Sequence, residues 1–191
     1  MEFLKNDKIL LRALEPENLE AIYNWENDPT LWSVSSTLTP YSRYQLKKYI
    51  ADSTCHDFYE TKQLRLIIEK RRSHQRTGLA DLFDFDPFNS RAALGILVDA
   101  SSRKKGVALS AMNLLIEYAF KFLKLHQVYA HISADNKASI ALFKSLGFKQ
   151  SGILSEWVIS SNSRYEDVLI FQMINPEKTE RLSLSKDLSD R

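Results

Sequence analysis

The segment that decides the fold spans residues 95–108, with the sequence Gly95-Ile96-Leu97-Val98-Asp99-Ala100-Ser101-Ser102-Arg103-Lys104-Lys105-Gly106-Val107-Ala108. Its apolar start predicts a buried strand, its middle is a short polar loop, and Gly106 begins a helix. The first N–H groups of a helix have no partner within the helix, and with the helix dipole they form an anion site. Gly106 lets a phosphate approach the backbone without a Cβ in between. Because Arg103, Lys104 and Lys105 add positive charge there, the segment predicts a diphosphate site.

Other interpretations of this segment remain open at this point. Taken alone, it is also compatible with an ordinary strand-to-helix turn that has a solvated basic face. It contains neither the lysine-containing P-loop pattern nor Gly-x-Gly-x-x-Gly, so sites for nucleoside triphosphates or dinucleotides are weak alternatives.

The remaining chain predicts the element order β-α-α-β-β-β-α-β-α-β-β. The apolar spacing over 106–123 predicts a long helix, and Gly147 is a natural end for a shorter one over 136–146. Earlier helices are expected to begin at Pro16 and at Thr39-Pro40. A helix between residues 98 and 127 makes the flanking strands parallel, so the expected class is α+β with a mixed, mostly antiparallel sheet. The expected strands are 8–14, 64–69, 78–85, 92–98, 127–133, 149–159 and 166–174, with the last two joined by a turn at Ser161-Asn162-Ser163.

The bulk composition is that of an ordinary globular protein, with 191 residues, 44% of them hydrophobic and 26% charged. We expect residues 1–175 to form a single domain and the polar residues 176–191 to form a mobile tail. No apolar run approaches the roughly 20 residues of a membrane span, and the start lacks a signal-peptide pattern. We therefore expect a cytoplasmic protein with no membrane partner.

Cysteine and charge usage suggest neither a metal nor a nucleic-acid partner. Cys55 is the one cysteine, so no internal disulfide can form, and we expect it as an ordinary thiol in a loop after a helix. No metal site is expected. A net charge of +2 is too small to demand a nucleic-acid partner. The basic run Lys70–Arg76 lies between two predicted strands, which favours a solvated hairpin loop over a contact with RNA or an acidic protein.

Motifs in the second half carry a family resemblance. Arg103-Lys104-Lys105-Gly106-Val107-Ala108 matches Arg/Gln-x-x-Gly-x-Gly/Ala, and it is followed by Asn136-Lys137-Ala138-Ser139, Phe143 and Gly147-Phe148. In this order and spacing the chain resembles the GCN5-related N-acetyltransferases over about residues 8–174. The resemblance is closest to the branch that contains ribosomal-protein N-terminal acetyltransferases and spermidine acetyltransferases.

This resemblance implies a specific binding site for acetyl-CoA. The strand at 92–98 would splay from its parallel neighbour at 127–133, and the backbone of Ile96, Leu97 and Val98 would bind the pantetheine arm. The amides of 103–108 would bind the pyrophosphate, Val107 and Ala108 included. Asn136 and Ser139 would hold the pantetheine from the other side, beside Phe143. Asn136 also fits the N-cap of its helix.

The implied reaction is transfer of an acetyl group to a primary amine, by direct attack in a ternary complex. The amine could belong to a protein N-terminus, a polyamine or another small molecule. Phe143 stands where many relatives have Tyr as the proton donor to the leaving thiolate, and Phe cannot donate. Ser139 and Tyr165 are the alternative donors. The candidates for the base that takes the amine proton are Asp81, Glu156 and His131.

Two further possibilities follow from the same resemblance. A protein that keeps the cofactor site but has lost the chemistry would be an acyl-CoA-binding sensor, and Phe143 is consistent with this alternative. Edge strands and the last hairpin could pair between subunits, so a homodimer is also possible by family analogy.

Overall fold

A computed structural model describes residues 2–30, 32, 39–160 and 163–177 of the chain. Within these residues seven strands form one sheet in the order β1-β2-β3-β4-β5-β7-β6. The pair β4–β5 is parallel, and every other neighbouring pair is antiparallel. The strands are β1 (Ile9–Arg12), β2 (Leu64–Lys70), β3 (Arg76–Asp86), β4 (Arg91–Val98), β5 (Gln127–Ser133), β6 (Lys149–Ile159) and β7 (Tyr165–Ile174).

The helices connect the strands in the expected order, which confirms the α+β class. They are α1 (Leu19–Glu26), α2 (Arg43–Cys55), the single turn α3 (Phe58–Thr61), α4 (Val107–Glu117) and α5 (Lys137–Ser145). The long helix expected over 106–123 is α-helical only to Glu117 and ends in a π-helical turn over Tyr118–Phe122. Among the described residues, we find no helix with the length and apolarity needed to cross a membrane.

Two hydrophobic cores lie on opposite faces of the sheet. Successive side chains of a strand point to opposite faces, so Leu66 and Ile68 pack with α4 through Met112 and Leu115. Their neighbour Ile67 belongs to the second core, which joins the sheet to Ile22 of α1 and to Leu46 and Ile50 of α2. The sheet is therefore a central layer, with α4 and α5 on one face and α1 and α2 on the other.

Two expectations about α2 are wrong. The helix does not begin at Thr39-Pro40, because Ser42 forms a reciprocal cap with Gln45: the Ser42 hydroxyl accepts from the Gln45 amide at 3.1 Å, and the Gln45 side chain accepts from the Ser42 amide at 2.8 Å. Cys55 is not in a loop. It is the exposed last residue of α2, because the next cap, Asp57, begins α3 only after this point.

Other expected boundaries agree with the structure to within a few residues or lie outside the described residues. Gly147, at φ +92°, ends α5 as expected. The exposed residues 71–75 join β2 to β3, which confirms the basic hairpin turn. In the expected turn Ser161-Asn162-Ser163, the first two positions lie outside the described residues, as do residues 178–191 of the expected tail.

Candidate active site

The parallel strands β4 and β5 separate part of the way along their length. Their register runs only from Arg91↔Gln127 to Ala93↔Tyr129. Beyond this point β4 stays paired with β3 as far as Val98, while β5 stays paired with β7 as far as Ser133. From residue 94 to residue 98, β4 therefore has no strand partner on its β5 side. This free backbone edge is what the pantetheine arm of acetyl-CoA would need.

Gly78 allows β3 to follow β4 along this free stretch. A Cβ at Gly78 would lie 2.0 Å from the carbonyl oxygen of Leu97, far inside any real contact. Glycine is therefore required at this position, where it is the register partner of Val98 at the end of the free stretch.

A cleft of about 900 Å³ occupies the space between the separated strands. β4 lines one side of it with Ile96 and Leu97, and α5 contributes Asn136, Ser139 and Phe143. The structure thus brings together five of the residues expected at the cofactor.

The loop after β4 leads into a helix whose first turn has no side-chain cap. Gly106 is the N-cap of α4 at φ +75°, and nothing lies within 4 Å of the place where its Cβ would be. Lys104, at φ +58°, also adopts the left-handed conformation. Because no side chain caps this helix start with a hydrogen bond, the amides of Val107 and Ala108 are the groups that would bind an anionic ligand.

The loop between β4 and α4 contains three basic residues, Arg103, Lys104 and Lys105. Arg103 and Lys105 donate to backbone carbonyl oxygens a few residues earlier in the chain. The Arg103 side chain donates to the carbonyl of Val98 at 3.0 Å, and Lys105 donates to the carbonyl of Ser101 at 2.7 Å. Arg103 also lines a second cavity, of about 400 Å³, together with Asp28 and Asp99. Its guanidinium group therefore lies on the α1 side of the loop.

Asp99 fixes the start of this loop. Its carboxylate accepts from the Ser101 amide at 2.9 Å and from the Trp25 indole N–H at 3.1 Å. Hydrogen bonds from the Ser101 side chain and then from Trp25 hold the pKa of Asp99 below its ordinary value. Asp99 thereby joins the loop between β4 and α4 to α1.

Asn136 and Phe143 have distinct roles in α5. The Asn136 side-chain oxygen accepts from the Ser139 amide at 3.1 Å, so Asn136 caps the helix while also lining the cleft. Phe143 is 3% exposed and packs edge-to-face on Phe148, with ring centroids 4.9 Å apart. Its ring presents no proton donor to the cleft. Ser139 lies one helical turn earlier, and its side chain belongs to the part of this helix that lines the cleft.

A buried ion cluster lies in the other half of the cleft. Arg65 donates to both carboxylate oxygens of Asp81, from Nε at 2.8 Å and from Nη2 at 3.2 Å, and its Nη1 donates to Glu26 at 2.6 Å. The side chains of Arg65, Asp81 and Glu26 are only 20%, 14% and 11% exposed. Burial alone would lower the pKa of Arg65, but the charges of Asp81 and Glu26 raise it overall, so Arg65 is a permanent cation.

Neither Arg65 nor the contact between Glu26 and Arg65 was predicted from the sequence. Arg65 could have been predicted, because the expected antiparallel hairpin around the basic turn places Arg65 directly opposite Asp81. Glu26 is the last residue of α1, and the sequence contains nothing that fixes its distance from β2.

The other acid and base candidates differ in where they lie. His131 of β5 lines the cleft, with its ring centroid 5.5 Å from that of Tyr129. Glu156 is exposed at φ +50° in the irregular part of β6, where its amide donates to Asp167 at 2.9 Å. Tyr165, at the start of β7, is 65% exposed. The cleft is lined by Asp81, His131 and Ser139 but not by Glu156 or Tyr165.

A free strand edge, an uncapped helix start and a cleft between them define an acyl-CoA-dependent transferase. The sequence model of the acetyltransferase (GNAT) domain matches residues 8–149, so the chain belongs to this family. The expected family, fold, acetyl transfer and use of acetyl-CoA are thereby confirmed. We find no group of metal-ligating side chains in the part of the chain that the structure describes.

Characterised relatives are similar over almost the whole chain. The spermidine N(1)-acetyltransferase of Vibrio cholerae is 28% identical over 85% of this chain and 91% of its own length. The enzyme of the same name from Escherichia coli K12 is 26% identical, with 86% of each chain covered. A crystal structure of the V. cholerae enzyme with CoA and spermine superposes with a TM-score of 0.80 at 26% identity, covering 89% of this chain and 97% of that one.

Proposed function

We propose that this enzyme acetylates a primary amine by direct attack on acetyl-CoA, with both substrates bound in the cleft between β4 and β5. The observation that carries the proposal is the end of the β4–β5 pairing at Ala93 and Tyr129. It leaves a backbone edge for one substrate, and the ionisable groups Asp81 and His131 lie in the same cavity.

The cofactor would lie along the free edge of β4. The backbone of Ile96–Val98 would hydrogen-bond the pantetheine arm, and the first amides of α4 would bind the pyrophosphate with help from the loop cations. Asn136 and Ser139 would contact the arm from α5. These contacts would place the thioester beside the point of separation, where a free backbone N–H would stabilise the tetrahedral oxyanion.

The amine would approach from the side of the cleft that contains Asp81. It must lose a proton before or during attack, and His131 is the better placed acceptor because Asp81 already binds Arg65 through both oxygens. Imidazole is also the side chain that most readily exchanges protons near neutral pH. Ser139, or a water molecule beside it, would protonate the leaving thiolate in place of the hydroxyl that Phe143 lacks.

The test is an acceptor panel that contains spermidine, simple alkylamines and peptides with a free N-terminus. Each is incubated with acetyl-CoA while free thiol is followed, and the products are identified by mass spectrometry. Acetylated product with at least one amine supports the proposal. Binding of acetyl-CoA without turnover across the whole panel contradicts it and favours the alternative of an acyl-CoA sensor, which the buried Phe143 ring makes worth testing.

A further inference from the structure

A bulge in β6 brings two consecutive side chains to the cleft. The register between β6 and β7 is interrupted after Leu154 and resumes at Val158, so residues 155–157 lie opposite the single residue Asp167. Consecutive side chains of a regular strand point to opposite faces of the sheet. Here Trp157 and Val158 both line the cleft. The bulge therefore redirects Trp157, as bulges beside active sites often do for a side chain.

Asp167 holds the bulge in its conformation. The middle residue of the bulge, Glu156, has φ +50°, and its amide donates to the Asp167 carboxylate at 2.9 Å. A residue with a Cβ is strained at positive φ, so this hydrogen bond offsets a cost that the bulge carries. The backbone carbonyl of Asp167 accepts from the amide of Ala134, just before α5, at 2.9 Å. A change of the Asp167 side chain removes the first contact and leaves the second in place.

Trp157 lies beyond the gap that the cofactor would occupy. The cofactor arm would run between β4 and β5, and in the sheet order β5-β7-β6 the strand β6 is two strand spacings, about 10 Å, from β5. Trp157 nevertheless lines the same cleft as His131, the proposed base. Its side chain is 64% exposed, so much of its surface remains available to a ligand. With the gap filled by the cofactor, the ligand left for this surface is the acceptor.

We infer, on the basis of the proposed function, that Trp157 is a specificity-determining residue that contacts the acceptor amine and not the cofactor, and that Asp167 positions it. An indole ring can bury the alkyl part of an amine, and its face attracts ammonium groups. It has no proton to exchange near neutral pH. Its contribution is therefore to acceptor binding, and the chemical step is left to other groups.

The test removes the ring with Trp157→Ala and measures amines and cofactor separately. Hexylamine, spermidine and trialanine are titrated into the CoA-loaded full chain by calorimetry, and KM and kcat are measured with the same amines. Each amine that the wild type binds is expected to bind about tenfold more weakly, the scale of one lost tryptophan contact. The Kd for CoA and the kcat should stay within about twofold, because the lost contact is equal in the ground state and the transition state.

Ile159→Ala is the matched control, because Ile159 is 61% exposed on the same strand and does not line the cleft. It should leave both affinities unchanged. Asp167→Ala removes the acceptor for the Glu156 amide and should raise the KM for the amine without lowering kcat. Asp167→Asn keeps a side-chain oxygen in that place and should restore the wild-type KM. If Asp167 acts through Trp157, the double variant Trp157→Ala/Asp167→Ala should bind amines no more weakly than Trp157→Ala alone.

Three outcomes would overturn the role of Trp157. They are unchanged amine affinities in Trp157→Ala, a weakened affinity for CoA in that variant, and a CoA-loaded wild type that binds none of the three amines. Additive losses in the double variant, or no rescue by Asp167→Asn, would overturn the role of Asp167. Failure of the proposed function is a separate result, namely amine binding without turnover, and in that case the calorimetric affinities still decide the inference.

Discussion

Ala93 and Tyr129 are the last register partners between β4 and β5, and one residue further each strand keeps only its other neighbour. Pairing with β3 holds β4 straight through Val98, and pairing with β7 holds β5 through Ser133. The gap is thus built by two intact antiparallel ladders that diverge. The free edge is therefore fixed by the sheet itself, which favours binding because little ordering entropy is lost.

The helix start at Gly106 provides a test of the phosphate site. Gly106→Gln and Gly106→Glu add side chains of equal size into space that is open within 4 Å. Both are expected to lose about 1 kcal/mol of stability, because a residue with a Cβ is strained at positive φ. Only the Glu variant places a negative charge where the pyrophosphate would lie. Its Kd for CoA, measured by calorimetry, should be at least about tenfold weaker than that of the Gln variant.

Comparing the Gln and Glu variants separates the effect of the added charge on CoA affinity from the effect of backbone strain. Similar melting temperatures with different CoA affinities support phosphate binding at the first turn of α4. Equal CoA affinities in the two variants would mean that the pyrophosphate lies elsewhere.

Two substitutions at Asn136 measure its role as helix cap and its proposed contact with the cofactor separately. Asn136→Ala removes the acceptor for the Ser139 amide, and the loss of such a cap costs about 1 kcal/mol. Asn136→Ser retains a capping side chain but is too short for an amide contact in the cleft. We expect Ser to keep most of the stability in urea unfolding and to raise the KM for acetyl-CoA as much as Ala does. A normal KM in the Ser variant would limit Asn136 to its capping role.

Asp99 should contribute an acid-sensitive part of the stability. Its folded-state pKa lies below the ordinary value of 3.8 because Ser101 and Trp25 bond to the charged form. The contribution is therefore fully present above the ordinary value and is lost as the pH falls through the lower folded-state value. In urea unfolding, Asp99→Asn should be less stable than the wild type at pH 6, and the difference should shrink as the pH drops below about 4.

Trp25 gives an optical check on the same interaction, because its indole N–H donates to Asp99. Wild-type tryptophan emission should change across the acid transition before unfolding begins, and Asp99→Asn should lack this step. A stability difference that is constant between pH 6 and pH 3 would count against the assigned role.

Local patterns predicted the elements of this fold well, and long-range packing accounts for what they missed. Apolar spacing and the Gly106 and Gly147 signals located α4 and α5, since such signals act within a few residues. Thr39-Pro40 and Ser42 both fit the same local rule for a helix start, so the sequence alone does not select the cap at Ser42. The Glu26 contact with Arg65 joins residues 39 positions apart, and no local pattern contains such a distance. Tyr165 and Glu156 were candidates for the proton donor and the base, but on β7 and β6 they lie outside the cleft lining.

Phe143 supplies the sharpest test of the chemistry. Its ring lines the cleft from a buried position on α5 and lacks the hydroxyl that would protonate the departing thiolate. General acid catalysis contributes about 10²–10⁴-fold where a donor is well placed, so Phe143→Tyr should raise kcat if thiolate departure limits the rate. The effect should be largest with poorly basic amines, and the added hydroxyl should introduce a new alkaline limb in the pH profile of kcat. Phe143→Leu is the control for altered packing against Phe148, and it should lower the melting temperature without a gain in kcat. A Tyr variant that folds, binds CoA normally and turns over at the wild-type rate would show that Ser139 or water already protonates the thiolate fast enough.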